Sequence, residues 1–91
     1  MGKAPYRSTP IFDAMTLPAG LRRDHRTREG TWGVIRVLAG AIRLHYAAPP
    51  RALTLRAGES AVVAPQETHW VEVVGPMEMQ VDFHDEDPRA E

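Results

Sequence analysis

The chain has no cysteine among its 91 residues. Disulfides, thiolate metal sites and cysteine nucleophiles are therefore excluded, and a reducing, cytoplasmic setting is expected. No apolar run approaches the roughly 18 residues that a membrane helix needs, so no membrane span is expected. Met1-Gly-Lys-Ala-Pro-Tyr-Arg7 lacks an apolar centre and does not read as a signal peptide. A net charge of -1 argues against a general nucleic-acid binder. No glycine-rich loop joins a strand to a helix, so no nucleotide or methyl-donor site is expected. A nucleophile elbow is also missing, which excludes serine-hydrolase chemistry of that design. Long helices are excluded as well, because Pro10, Pro18, Pro49, Pro50, Pro65 and Pro76 would each interrupt one.

What is present is ordinary globular composition, 43% hydrophobic and 25% charged. The length suits one domain, with its core over residues 6–84 and a solvated acidic tail over 85–91. The stretch before Tyr6 is expected to fray. So small a domain buries a modest share of its surface, and a homodimer is expected to supplement its core.

Prolines and glycines separate short runs rich in Val, Ile, Leu, Thr and aromatics, a strand-and-turn pattern. The runs place strands at Ser8 to Asp13, Leu21 to Thr27 and Thr31 to Leu38. A tight hairpin at Ala39-Gly40 leads to a fourth strand, Ala41 to Tyr46. The last four are Ala52 to Leu55, Ser60 to Ala64, His69 to Val74 and Met77 to Phe83. Met77, Met79, Val81 and Phe83 share one face of the last strand by alternation. The expected core adds Val34, Ile35, Leu38, Ile42, Leu44, Leu53, Leu55, Val62 and Val71. About eight short strands in one small domain point to an all-β fold, either a closed barrel or a double-sheet jelly roll.

Charge is unevenly spread. Residues 1–58 carry ten Lys/Arg and three Asp/Glu, and residues 59–91 carry one and nine. Strands from the two parts would pair opposite charges across a sheet. Arg22, Arg26 and Arg28 read as an exposed face of that kind. Arg23 shares strand parity with His25, and there its guanidinium would hold a carboxylate or oxyanion ligand bidentately.

Four histidines, His25, His45, His69 and His84, are too dispersed for a metal motif read from spacing. His45 and His84 read as solvated strand-end residues. The order of motifs says more. Ser8-Thr9-Pro10, Leu17-Pro18-Ala19-Gly20-Leu21 and Asp24-His25-x-Thr27 are followed by Gly30-Thr31-Trp32-Gly33 and Val37-Leu38-x-Gly40. Pro65-Gln66-x-x-His69 and Gln80-Val81-Asp82-Phe83 complete the series. The chain resembles the TehB/YeaR-like cupin family, small domains associated with tellurite resistance, from about Tyr6 to Phe83.

That resemblance implies a small double-sheet jelly-roll barrel in which His25 and His69 converge on one pocket. Cupins hold a metal with three histidines and a glutamate. Here Thr27 stands where the second histidine would be, and the glutamate position falls near Trp32-Gly33. Two imidazoles need further ligands, for which Glu29, Glu67, Gln80 and Asp82 are the candidates. Such a set would accept zinc, iron, nickel or manganese. Arg23, Trp32 and Gln80 are expected to line the ligand pocket. The implied function is binding of a divalent metal or a small anionic ligand in a stress or detoxification response. The alternatives are a metal-dependent cupin enzyme, of dioxygenase or isomerase type, and a metal-free structural or regulatory interaction module. Whether the chain is an enzyme stays open at this point.

Overall fold

The architecture, taken from a computed structural model that describes residues 4–89, is all-β with one short 3-10 turn at Ala19–Arg22. The strands are β1 (Arg7–Ser8), β2 (Phe12–Asp13), β3 (Trp32–Ala47), β4 (Pro50–Arg56), β5 (Ser60–Val63) and β6 (His69–His84). Residues 1–3 and 90–91 lie outside the described part, so the fraying expected there has no structural counterpart.

Two 16-residue strands, β3 and β6, pair antiparallel along their whole length and form the spine. On the free edge of β3, β5 pairs with its first half and β4 with its second. On the free edge of β6 the N-terminal segment runs antiparallel, touching it through β1, β2 and finally a single bridge at His25. All six strands thus belong to one antiparallel sheet, ordered β1-β6-β3-β4 with β2 and β5 alongside. The sheet is bent but does not close, so the expected closed barrel is not formed.

The alternation of β3 explains the bend. Gly33, Ile35 and Val37 face the core in the first half, and Ile42, Leu44 and Tyr46 in the second. Inward parity changes from odd to even, which requires irregular pairing between them. Register shifts occur at Val37/Ala39 and at Gly40/Ile42. Gly40 adopts φ +69°, and a Cβ there would lie 2.1 Å from the Pro76 carbonyl oxygen. Only glycine suits that combination. Across from it, Pro76 has no N–H to contribute, and the irregular ladder tolerates its absence.

Five local expectations change accordingly. Ala39-Gly40 is a bulge within one strand rather than a hairpin tip, and Gly75-Pro76 does not end β6. Leu38 is thrown outward at the bulge and is 39% exposed. The first run splits around Pro10 into β1 and β2. Leu21 to Thr27 is not a strand: Arg22, Arg23, Asp24 and Arg26 are all exposed, and no apolar alternation exists there to bury a face.

The deepest core side chains are Ile35, Ile42, Leu44, Met79, Val37, Val63 and Val71. Leu53 and Phe83 are half-buried against it, whereas Val34 and Val62, expected in the core, pair with each other on the opposite face because Gly33, Ile35 and Val63 take the inward parity. Each fully buried chain of this kind contributes about 1.5–3 kcal/mol of transfer free energy.

Gly40→Ala and Gly58→Ala separate close approach from backbone strain. Both glycines have positive φ, yet nothing lies within 4 Å of a Cβ at Gly58. Gly58→Ala is expected to cost about 1 kcal/mol and Gly40→Ala at least about 3 kcal/mol in thermal or denaturant unfolding. Equal losses at the two sites would show that the approach to Pro76 constrains nothing.

Candidate functional site

The loop before β6 is built to position His69. Gln66 takes φ +61° and donates its N–H to the Thr27 carbonyl at 3.1 Å. Glu67 turns its carboxylate back to accept the Ala64 N–H at 3.0 Å. Its backbone carbonyl then lies 2.7 Å from His69 Nδ1. A carbonyl can only accept, so Nδ1 carries the proton and Nε2 keeps a free lone pair. His69 is 3% exposed.

His25 reaches the same place from the N-terminal segment. Its N–H donates to the His69 carbonyl at 2.8 Å, and the His69 N–H donates to the His25 carbonyl at 2.9 Å. The two rings meet edge to face, 5.2 Å between centroids and 88° between planes. Thr27 follows, buried, its hydroxyl donating to the Thr31 carbonyl at 2.8 Å. Gly33 sits beneath it, where a Cβ would come within 2.8 Å of the Val63 side chain.

Together these residues enclose a small, mostly apolar cavity of about 30 Å³. His25, His69, Thr27 and Thr9 supply its polar edge, with Ile35, Val71, Met79 and Phe83 among the apolar walls. The volume suits an ion or one or two water-sized groups. Burial lowers the pKa of both histidines from the ordinary 6.5. At His69 the hydrogen bond to the Glu67 carbonyl opposes the effect, and His25 nearby adds to it. The pair therefore favours the neutral form that a metal requires.

The other expected site residues lie elsewhere. Gln80 and Asp82 point to the opposite face of β6 from Met79 and Val81. Asp82 accepts from Arg36 Nε at 2.6 Å and from the Ser8 hydroxyl at 2.6 Å, and Arg36 also donates to Gln80 at 2.6 Å. Burial opposes ionisation of Asp82, but Arg36 and Ser8 outweigh it and hold its pKa below the usual value. Glu29 is exposed in the turn before Gly30, and Arg23 is exposed outside both recesses of the site. Trp32 is half-buried beneath the Arg89 guanidinium, 5.6 Å from its ring centroid. Glu67 is engaged with Ala64 and, at 3.5 Å, with Arg51. Among the described residues, no group of three or more His and carboxylate side chains gathers. His25 and His69 stand as a pair.

Sequence reasoning did not single out Thr9, Thr27 and Phe83 as wall residues, although each lies in a family motif and Thr27 takes the place of a cupin histidine. It also missed a larger, open recess of about 390 Å³ on the outer side of His25.

Residues 7–81 match the TehB-like domain. The chain belongs to the TehB-like family. It is similar to YeaR of Escherichia coli, in strain K12 and in O157:H7, with 32% identity over 77 residues. That alignment covers 75% of this chain and 65% of the relative, so the chain spans somewhat less than two thirds of YeaR. A solved protein of E. coli K12 superposes with a TM-score of 0.77 at 26% identity, over 91% of this chain and 87% of that one. TehB from Haemophilus influenzae superposes at 0.78 with 25% identity, over 87% of this TehB-like chain but 30% of that protein.

Depressed histidine pKa values make stability depend on pH in one direction. The neutral forms stabilise the fold fully above the ordinary value of 6.5. That contribution is lost as pH falls from there through the lower folded-state values, because the unfolded chain binds protons first. The melting temperature is expected to fall between about pH 7 and pH 5, and His69→Gln to flatten that slope. A wild-type melting temperature that holds or rises over the window would contradict the assignment of buried, neutral imidazoles.

Proposed function

We propose that this TehB-like domain is a cupin-type binding module in which His25 and His69 hold a divalent metal ion, with coordination positions left open for a small anion. The observation that carries the reading is the pairing of two imidazoles at the edge of a small, mostly apolar cavity, one with its Nδ1 bonded to a backbone carbonyl. An Nδ1–H···O=C bond of the His69 kind orients an imidazole and presents Nε2 to a metal. Zinc, iron, nickel and manganese all accept imidazole nitrogen. When bound, the ion would supply a positive centre for a small anion. The protein's own part is to hold both rings neutral and to exclude bulk water. The TehB-like match supports reading this activity as part of a tellurite-resistance type of stress or detoxification response, and a cytoplasmic setting is proposed with it. The alternative of a metal-dependent enzyme is less favoured, since Asp82 and Glu67, the carboxylates that would complete such a site, are committed to Arg36, Ala64 and Arg51.

The test is elemental analysis of the untagged protein, with calorimetric titration of the four ions. One ion is expected to bind per chain. His25→Ala, His69→Ala and the double variant are each expected to remove most of it while leaving the β-type circular dichroism intact, because the apolar core does not depend on the ion. Full occupancy in the double variant would sink the proposal. Unfolding of the double variant would assign the pair a scaffold role instead.

A homodimer is also proposed. Its support is the apolar surface left at Ile11, Met15 and Val74, exposed by 56%, 91% and 55%. Light scattering is expected to give twice the chain mass, and a monomer at all concentrations would refute it.

A further inference from the structure

The recess on the outer side of His25 is distinct from the histidine cavity. Tyr6, Arg7, His25, Arg26, Thr27, Arg28, Thr31 and Phe83 line it. Its volume of about 390 Å³ lies in the range of small-molecule sites, far above that of the inner cavity. Three of its residues are arginines, brought in from two separate segments. β1 contributes Arg7, directly opposite Phe83 in the register. The run after the His25 bridge contributes Arg26 and Arg28, which flank the buried Thr27.

Most arginines elsewhere in the described chain have a polar or aromatic partner. Arg36 binds Asp82 and Gln80, Arg51 lies over Tyr46 and near Glu67, and Arg89 binds Asp87. Among the described residues no ion pair involves Arg7, Arg26 or Arg28. Three like charges are thus held around one recess that has no carboxylate among its lining residues. That arrangement costs repulsion which a bound anion would relieve. Guanidinium forks match planar carboxylate and phosphate groups.

Tyr6, Phe83 and His25 supply aromatic walls, with Thr27 and Thr31 beside them. Phe83 is half-buried, with the Arg7 guanidinium carbon 6.0 Å from its ring centroid. Tyr6 is 60% exposed beside it, tied down by its N–H to the Phe83 carbonyl at 3.0 Å. An inorganic oxyanion would leave most of such a recess filled with water and would not use the rings.

We propose that this outer recess binds a small organic anion with two acidic groups on a flat, aromatic body, the acidic groups meeting Arg7, Arg26 and Arg28 and the body packing on Phe83 and Tyr6. This site lies on the other side of His25 from any ion at the histidine pair, although His25, Thr27 and Phe83 form part of both walls.

The probe is phthalate, compared with inorganic phosphate, which has charge without a ring, and with benzyl alcohol, which has a ring without charge. Binding to the full chain is followed by calorimetry and amide chemical shifts, with and without a metal chelator. Phthalate is expected to bind with a Kd below about 1 mM, at least about tenfold tighter than either comparison compound. The shifts are expected at Arg26, Thr27, Thr31 and Phe83. Arg26→Gln with Arg28→Gln is expected to weaken binding at least about tenfold, while Arg43→Gln with Arg56→Gln, equal in charge change and distant on β3 and β4, leaves it within about twofold. All four are exposed side chains, so both double variants should fold. Absence of phthalate binding, phosphate binding as tightly as phthalate, or equal weakening in the two double variants would each overturn the proposal. Binding that persists with chelator present supports it independently of the metal.

Discussion

The contact between Gly40 and the Pro76 carbonyl sets the geometry of the whole molecule. A regular 16-residue pair of strands would present one flat, twisted face and would need a second layer to cover it. Here the one-residue register shift between Val37 and Ala39 reverses the parity of β3, so its inward residues change from Gly33, Ile35 and Val37 to Ile42, Leu44 and Tyr46 without the strand ending. Each half can then face the same interior, and one sheet supplies both sides of its own core. The cost is an approach so close that no side chain fits at position 40. Every wall of the histidine cavity drawn from β3 and β6 depends on that bend.

Polar groups follow the same division. The inner face is apolar apart from Thr9, His25, Thr27 and His69 at the edge of the cavity and the Tyr46 hydroxyl, which donates to the Val62 carbonyl at 2.8 Å. On the outer face the basic early part of the chain meets the acidic late part. Arg36 binds Asp82, and His45, stacked on Trp70 at 5.1 Å, lies 2.8 Å from Glu72. Ser8 joins the same network through Asp82, and Gln80 donates to the Thr9 carbonyl at 2.8 Å. These bonds dock the N-terminal segment on the edge of β6. They act on the site at one remove, because Thr9 and Phe83 are walls of the cavity and Arg7 and Tyr6 are walls of the recess.

Much of this was legible in the sequence where the signal is local. Alternation in Met77, Met79, Val81 and Phe83 gives the right buried face, and the uneven charge anticipates the pairing of β3 with β6. Where the deciding partner is distant, local reading fails. Gly40 needs the same positive φ in a hairpin tip as in a bulge, and only the backbone of Pro76 distinguishes them. Gln80 and Asp82 have carboxylate or amide oxygens at a suggestive place in the chain, yet their parity puts them on the face opposite Met79 and Val81. His84, read as a solvated strand end, is 5% exposed. The meeting of His25 with His69 came from the order of family motifs, since no periodicity connects residues so far apart.

His25 shows how a single paired residue can serve two environments. A full strand from Leu21 to Thr27 would alternate its side chains in and out, sending Arg23 toward the core together with His25. The chain avoids this by pairing at His25 alone, through two backbone hydrogen bonds that satisfy its N–H and carbonyl. Arg22, Arg23, Asp24 and Arg26 stay in water, where their charges are cheaply solvated. The imidazole alone turns toward His69, and Thr27 then closes the cavity behind it. The ring thereby lies between the mostly apolar cavity and the open recess lined with arginine, alongside Thr27 and Phe83, which also line both. Loss of the His25 bridge would open one to the other, so the neutrality of His69 and the walls of the outer recess both rest on the same two backbone bonds.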